Sequence, residues 1–305
     1  MPDWPLIVVR LGVYLALGIL FGLSVFGGFS LQGGERHNAL PLRSSLLASG
    51  IAGLLLSACW LVLLASSMAD TVPWPVDREA VDAVLSAGAI GTAWKIRMVA
   101  LSLATLAAIR HNSLPIVVIG SMVALVTLAW TGHGSVDEGP LGWLHLGADI
   151  LHLIASAAWI GALLGLVLLI KRPIARIDSE HLDLTHRALH GFGIIGTIVV
   201  ATLVLTGFVN SWMMVGPDNL LSLSETLYGR LLIAKLLLFS AMLALAALNR
   251  FRLTPAFEQS IANADHRGAL MALRRSLAVE TICVVVILGL VAWLGTLAPP
   301  GAVVS

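Results

Sequence analysis

Three polar side chains interrupt one of the apolar segments of the chain at regular spacing. His145, Asp149 and His152 are four and three residues apart, so on a helix they fall within about 60° of arc, and Trp159 extends the same line. Neutral imidazole is the commonest metal ligand in proteins, and a carboxylate can orient a ligating imidazole through its other nitrogen. The pattern predicts a cation site with histidine ligands and with Asp149 as the group that orients them or neutralises charge.

A third histidine ends the preceding apolar segment. The stretch AWTGHGS (129–135) contains Trp130 and His133, and a short loop separates it from His145. If the two segments are antiparallel neighbours, His133, His145 and His152 lie toward the same face of the membrane, with Trp130 and Trp159 lining the cleft between them. We therefore predict these three histidines as metal contacts.

A structural interpretation of the same residues stays open. His133 and His145 are then interfacial polar residues, and His152 and Asp149 form a buried packing pair. In either case Asp149 must face protein or a water-filled cleft, because a carboxylate at the centre of a lipid-exposed helix costs roughly 2.5–3.5 kcal/mol.

Methionines extend the predicted site, since a thioether is a soft ligand that suits Cu(I). Met98, Met213 and Met214 lie toward the same ends of their apolar segments as the histidines, and we expect them to line the site. The alternative is that they are ordinary apolar filler.

Four further polar residues within apolar segments are expected to hold the bundle together: Arg97, Lys235, Asn210 and Glu280. Arg97 and Lys235 are expected either to reach the outer surface with their charged ends or to pair with Asp149 or Glu225. Glu280, about a turn beyond Arg274 and Arg275, is expected to pair with an arginine of the inner leaflet, and a role in transport chemistry is the alternative.

The composition shows which elements must position these residues. Of the 305 residues, 58% are hydrophobic and only 11% are charged, against roughly 25% charged residues in a soluble domain. The chain is therefore predicted to cross a membrane many times. A net charge of +1 gives no argument for nucleic-acid binding, and the two cysteines, both within apolar runs, define no disulfide framework.

A bilayer core needs about 20 apolar residues per helix, and eight stretches meet this requirement. They cover roughly 6–31, 45–67, 93–110, 114–131, 143–170, 190–214, 229–249 and 276–297. The first lacks a basic region before its apolar part, so we expect a retained span rather than a cleaved signal. The predicted fold is an all-α polytopic membrane protein with eight transmembrane helices.

Basic residues predict its orientation. Lysines and arginines are concentrated in the connections after spans one, three, five and seven, whereas the opposite loops contain only Arg78 clear of the membrane edge. The positive-inside rule then places both termini outside, which in a bacterial inner membrane is the periplasm.

Short echoes suggest an internal repeat. GTAWKIRMVALSLATLAAIR (91–110) resembles GRLLIAKLLLFSAMLALAALNR (229–250), and GIAG at 50–53 resembles GIIG at 193–196. These pairs join spans four apart, which predicts two parallel four-helix halves, residues 1–135 and 136–305. Chance similarity between Leu/Ala-rich helices is the alternative.

The C-terminal third also resembles a known family. TGFVNSW (206–212), YGRLLIAKLLLFSAMLALAALNRFRLTP (228–255) and LRRSLAVETICVVVILGLVAWLGTLAP (273–299) together look like the CopD family of bacterial copper-resistance inner-membrane proteins. DILHLIASAAWIGALLGL (149–166) resembles that family's fifth span. The positions that match the family pattern are Asp149, His152, Trp159, Gly161, Asn210, Tyr228, Arg230, Lys235, Asn249 and Glu280.

The resemblance implies a copper ion as the ligand and a periplasmic copper-binding protein of the CopC type as a partner. It also implies a role in moving copper from the periplasm toward the cytoplasm, or in handling copper at the membrane. We expect no enzymatic activity. Histidine ligation predicts weaker copper binding at acidic pH, because a protonated imidazole cannot ligate.

Two other functions stay open. One is a non-transporting membrane partner of a periplasmic copper protein, and the other is a b-type membrane cytochrome with histidines on haem, which a purified sample without a Soret band would exclude. No motif for nucleotide binding or hydrolysis appears in the sequence.

Overall fold

The computed structural model describes residues 3–31, 40–110, 113–131, 139–172, 179–216, 219, 222–262 and 267–300. Within these ranges the regular structure is entirely helical. The helices are α1 (Trp4–Ser30), α2 (Leu42–Ala69), α3 (Arg78–Ser86), α4 (Gly88–Ala107), α5 (Leu114–Val126), α6 (Gly139–Ile170), α7 (Ser179–Val215), α8 (Leu227–Leu248), α9 (Thr254–Ala262) and α10 (Arg267–Leu294). A 3₁₀ turn (Thr127–Thr131) extends α5, and a π turn (Asn249–Leu253) joins α8 to α9.

Eight helices in the described part of the chain are long and apolar enough to cross a membrane, which confirms the predicted fold class. They are α1, α2, α4, α5 with its 3₁₀ turn, α6, α7, α8 with its continuation, and α10. The orientation of the termini and the internal repeat stay predictions. Below, the end of the bundle where α1 begins is called the outer end, following the predicted orientation.

The helix starts follow ordinary capping chemistry. Asp3 accepts a hydrogen bond from the Leu6 amide (3.2 Å) at the start of α1, and Thr226 accepts one from the Gly229 amide (3.0 Å) at the start of α8. Each side-chain oxygen satisfies one of the amides that a helix N-terminus leaves without a partner.

The centre of the bundle is a close crossing of α1 and α6. A Cβ atom on Gly22 would overlap the Ala157 backbone, and one on Gly161 would overlap the Gly22 backbone. Small residues permit this approach, which allows the helices to pack backbone against backbone as membrane helices often do. Because α1 and α6 belong to different predicted halves, the described residues of 1–135 and 136–305 share one hydrophobic core.

Two helices extend beyond the apolar limits that the sequence suggested. α7 begins at Ser179 rather than near residue 190, and its added turns carry the buried His181, whose Nε2 lies 2.9 Å from the Leu169 carbonyl oxygen. On the same inner side, α8 continues through the π turn into α9. Hydropathy detects only the lipid-spanning part of such helices, so the predicted spans are shorter than the helices.

Candidate functional site

Two polar pairs join α6 to the antiparallel α7 within the outer half of the bundle. The Nδ1 of His152 lies 2.9 Å from the Thr206 hydroxyl oxygen. Nearer the outer end, the Asn210 amide donates a hydrogen bond to Asp149 (Nδ2–Oδ1 2.7 Å). The polar face predicted on α6 therefore turns toward α7, as the cost of placing a carboxylate against lipid requires.

The Thr206 hydroxyl defines the tautomer of His152. A threonine hydroxyl has a single proton, and Thr206 donates it to the Thr202 carbonyl oxygen at 2.6 Å. The short contact to His152 therefore needs a proton on Nδ1, and we infer that His152 donates to Thr206. Its Nε2 then keeps a lone pair, which is the form of imidazole that ligates metals.

Charged groups surround Asp149. His145, four residues before it on α6, and Lys235, on α8, both lie within electrostatic range of its carboxyl group, and Lys235 is also within range of His152. The Asn210 Oδ1 is buried without a hydrogen-bond partner in the described part of the chain. Lys235 and Asp149 thus lie within electrostatic range of each other, and the described residues show no ion pair between them, so the predicted pairing stays a prediction.

A thioether and a phenol also lie near Asp149, toward the outer end of the bundle. The Tyr228 hydroxyl donates to the Sδ of Met214 at 3.3 Å, and Tyr228 is within electrostatic range of Asp149. Tyr228 therefore connects Met214 to the surroundings of Asp149. Met213, the residue before Met214 on α7, is half-buried. Tyr228 was not among the predicted site residues, although the Tyr-Gly-Arg motif that begins α8 marked its position.

Other predicted site residues lie elsewhere. Trp159 is two turns further inward on α6, edge-on to Phe192 (ring centroids 5.9 Å apart), with a buried Nε1 that has no partner among the described residues. Met98 and Trp130 lie on α4 and in the 3₁₀ turn, and both are half-buried. His133 lies outside the described residues.

Arg97 does not reach the surface, which corrects one of its two predicted roles. Its side chain is only 1% exposed, donates to the Thr127 hydroxyl (2.9 Å) and carbonyl (3.3 Å) oxygens, and stacks over Trp60. The other predicted role was pairing with Asp149 or Glu225, and within the described ranges the guanidinium has no acidic hydrogen-bond partner.

The predicted pairing of Glu280 with an inner-leaflet arginine is not found among the described residues. Glu280 accepts a hydrogen bond from the Asn249 amide, whereas Arg274 donates to the carbonyl oxygens of Ile170 (2.7 Å) and Arg172 (2.5 Å). These carbonyl groups lie at the C-terminal end of α6, where a helix leaves carbonyl oxygens without partners. They therefore bind the Arg274 guanidinium in place of the Glu280 carboxyl group.

A cavity of about 610 Å³ opens at the outer end of the bundle. Arg10 forms part of its wall, held by hydrogen bonds to Tyr14, Gly295 and Thr131, while Trp60 and Trp293 line its sides. None of the predicted metal ligands that the structure describes borders this cavity.

The described residues contain no group of three His, Cys, Asp or Glu side chains placed to hold one metal ion together. The ligand set His133, His145 and His152 therefore stays a prediction. The polar region between α6, α7 and α8 nevertheless contains two atoms of the kind that copper prefers as ligands, namely the Nε2 of His152 and the sulfur of Met214.

Comparison with known proteins identifies relatives along the whole chain. Residues 1–143 match the family described as copper resistance protein D-like, N-terminal domain, and residues 186–294 match the family described as copper resistance protein D. The chain is 41% identical over 306 positions to copper resistance protein D of Pseudomonas syringae pv. tomato, covering 98% of each chain.

Two further relatives match in part. The chain is 30% identical over 135 positions to inner membrane protein YebZ of Escherichia coli (strain K12), covering 44% of each chain. It is 30% identical over 171 positions to copper transport protein CutJ of Bacillus subtilis (strain 168), covering 52% of this chain and 30% of that protein. No solved structure matches the chain.

Proposed function

The chain belongs to the copper resistance protein D family, and from this premise we propose that it moves copper from the periplasm toward the cytoplasm. It is a copper-related membrane protein with eight helices of spanning length. The names of its relatives, one an inner membrane protein and one a copper transport protein, support the inner membrane as its location and transport as its role.

The observation that carries this proposal is the hydrogen bond from His152 to Thr206. It presents the unprotonated Nε2 of a half-buried imidazole within a polar seam between two membrane helices. A buried imidazole needs a partner for its N–H in any role, and with the tautomer inferred above that partner leaves Nε2, a ligating nitrogen, without a proton. We propose that His145 and His133 assist at the outer end and that Asp149 offsets part of the ion's charge.

A separate periplasmic copper-binding protein of the CopC type would deliver the ion to the outer end. The chain then acts as a carrier without catalysing a reaction, and the membrane potential or protons supply the energy. The soft Met214 thioether supports transfer of Cu(I), since thioethers bind that oxidation state well.

Copper accumulation in cells tests the proposal. Cells that produce the wild-type protein are expected to accumulate more copper than cells with an empty vector, and His152→Ala should remove this gain because it removes the ligand. His190→Ala is the matched control, since that histidine is exposed near the inner side of the same bundle. Accumulation by His152→Ala equal to the wild type, at equal protein level, would contradict the role of His152.

One observation favours a second function, that of a non-transporting partner for a periplasmic copper protein. No described residues group into a metal site further inward than His152, so a continuous series of ligands is not evident in the described part of the chain. Vesicles that contain the purified protein and bind the CopC-type partner, yet take up no copper, would support this second function.

A further inference from the structure

A second buried polar cluster lies in the inner half of the bundle, away from the copper-site residues. Glu280 on α10 is 3% exposed, Asn249 at the start of the π turn is 7% exposed, and Ser276, one helical turn before Glu280, is 8% exposed. Asn249 lies fourteen residues beyond Lys235 along α8, which is about 21 Å of helix. Because Lys235 lies within electrostatic range of His152, the cluster is separate from the region around His152.

The partners of this cluster leave the carboxyl group without a compensating positive charge. Asn249 donates its amide to Glu280, and Glu280 makes no ion pair among the described residues. The Asn249 Oδ1 and the Ser276 hydroxyl oxygen are buried and have no hydrogen-bond partner there. Asn249 and Glu280 thus meet directly, and Ser276, one turn away on the same face of α10, adds a buried hydroxyl group.

The charged groups on α10 and on the helices packed against it have other partners, are exposed, or lie in the outer half of the bundle. Arg274, on α10 itself, donates to the end of α6, and Arg250 of the π turn donates to Thr197. On α9, Glu258 lies 3.6 Å from His186. Arg252 of the π turn and Arg267 and Arg275 of α10 are exposed. The remaining charged groups and histidines on the neighbouring helices belong to the outer half, namely Arg10 of α1, His145, Asp149 and His152 of α6, and Arg230 and Lys235 of α8.

The backbone at Asn249 is also irregular. The π turn replaces the usual helical bond with one from the Thr254 amide to the Asn249 carbonyl oxygen, five residues back. Such turns cost helix stability and occur frequently at functional sites. Here the turn carries the one side chain that donates to Glu280.

A buried carboxyl group without a cation avoids the cost of its charge by holding a proton. Oxygen acceptors around it suit a proton or a hard cation and not copper, which prefers nitrogen and sulfur. We infer that Glu280, Asn249 and Ser276 form a proton-binding site that exchanges its proton with the inner side as copper crosses the bundle. The coupling to copper rests on the proposed function, whereas binding of the proton does not.

Infrared difference spectroscopy tests the proton site directly. A pH titration of the purified wild-type protein is expected to show the carbonyl-stretch band of a buried carboxylic acid that disappears at high pH. Glu280→Gln should lose this band, Glu280→Asp should shift it, and Glu258→Gln should leave it unchanged, because Glu258 is an exposed carboxylate with its side chain 65% exposed. A band that persists in Glu280→Gln, or is absent from the wild type at every pH, overturns the proposal.

Proton flux in vesicles tests the coupling. Copper uptake by wild-type vesicles should move protons, which a pH-sensitive dye reports. Glu280→Gln should lose this proton movement while retaining exchange of copper for copper, and Glu258→Gln should behave as the wild type. Proton movement by Glu280→Gln at the wild-type level overturns the coupling, as does uptake that depends on Na⁺ at constant pH. If wild-type vesicles take up no copper, the proposed function fails, and the infrared titration still decides the proton site.

Discussion

Thr206 is the residue whose hydroxyl group contacts the Nδ1 of His152, the histidine proposed to bind copper. The aspartate predicted to orient a histidine bonds to Asn210 instead, and a neutral hydroxyl holds the imidazole. A hydroxyl can hold the imidazole in one tautomer without adding negative charge, and under the proposed function Asp149 would then offset part of the charge of the ion. This division of roles differs from the carboxylate–histidine arrangement expected from the spacing on α6 alone.

Thr206→Val should weaken copper binding about 10- to 100-fold, because valine keeps the shape but removes the acceptor for the Nδ1 proton. Binding of copper by the purified protein, measured by competition with a chromophoric chelator, checks this value. Thr202→Val is the control, since that hydroxyl bonds only to the Ile198 carbonyl oxygen of its own helix. Equal weakening by both variants would show that Thr206 acts through packing alone.

At the scale of single residues, the sequence predicted the polar face of α6 but not the side chains of α7 that lie opposite it. The spacing of His145, Asp149 and His152 is a local property that helix geometry converts directly into a common face. Which residues of α7 meet that face depends on how two long helices are aligned along each other. That alignment arises from packing over their whole length, so the motif TGFVNSW that begins at Thr206 did not show that this hydroxyl meets His152.

Among the elements, the pair α1 and α6 has the closest contact because glycine faces backbone on both sides. Gly161→Ala should destabilise the protein by about 1–3 kcal/mol, since the helices must separate to admit one methyl group. Gly147→Ala is the matched control on the same helix, because a Cβ there meets nothing within 4 Å. The control should be neutral or more stable by up to about 1 kcal/mol, as alanine favours helix over glycine.

Thermal unfolding in detergent, followed by loss of helical circular dichroism, distinguishes the two glycine variants. Opposite shifts of the midpoint temperature are expected. Equal midpoints for Gly161→Ala and the wild type would mean that the α1–α6 crossing relaxes at little cost.

Hydropathy predicted all eight spanning helices because their length is set by the thickness of a bilayer. It did not predict α3, the added turns of α7 or the π turn. These features lie at the membrane boundary or beyond it, where caps such as Asp77 and contacts such as His181 with Leu169 decide the structure. Such contacts join residues whose proximity the sequence alone does not reveal.

For the whole molecule, orientation is the property on which the direction of transport depends. A periplasm-specific phosphatase fused after Ser305 should be active, and one fused after Lys171 should be inactive, because the lysine and arginine distribution keeps the latter connection inside. A fluorescent protein that folds only in the cytoplasm should give the reverse pattern at the same two positions. Phosphatase activity in the Lys171 fusion would show that the molecule has the opposite orientation. The proposed direction of copper movement would then be reversed.

The guanidinium of Arg97 has a consequence for the route of any ion. Arginine keeps its charge in proteins, and this one is buried beside Trp60 with Arg10 above it, bordering a common small cavity. A monovalent cation brought within about 4 Å of such a charge meets a repulsion of roughly 4 kcal/mol at an effective dielectric constant of about 20. Under the proposed function a copper ion would therefore avoid the cavity beside Arg97. The side formed by α6, α7 and α8 also has a cation, the half-buried Lys235, but there Asp149 lies within range to oppose its charge.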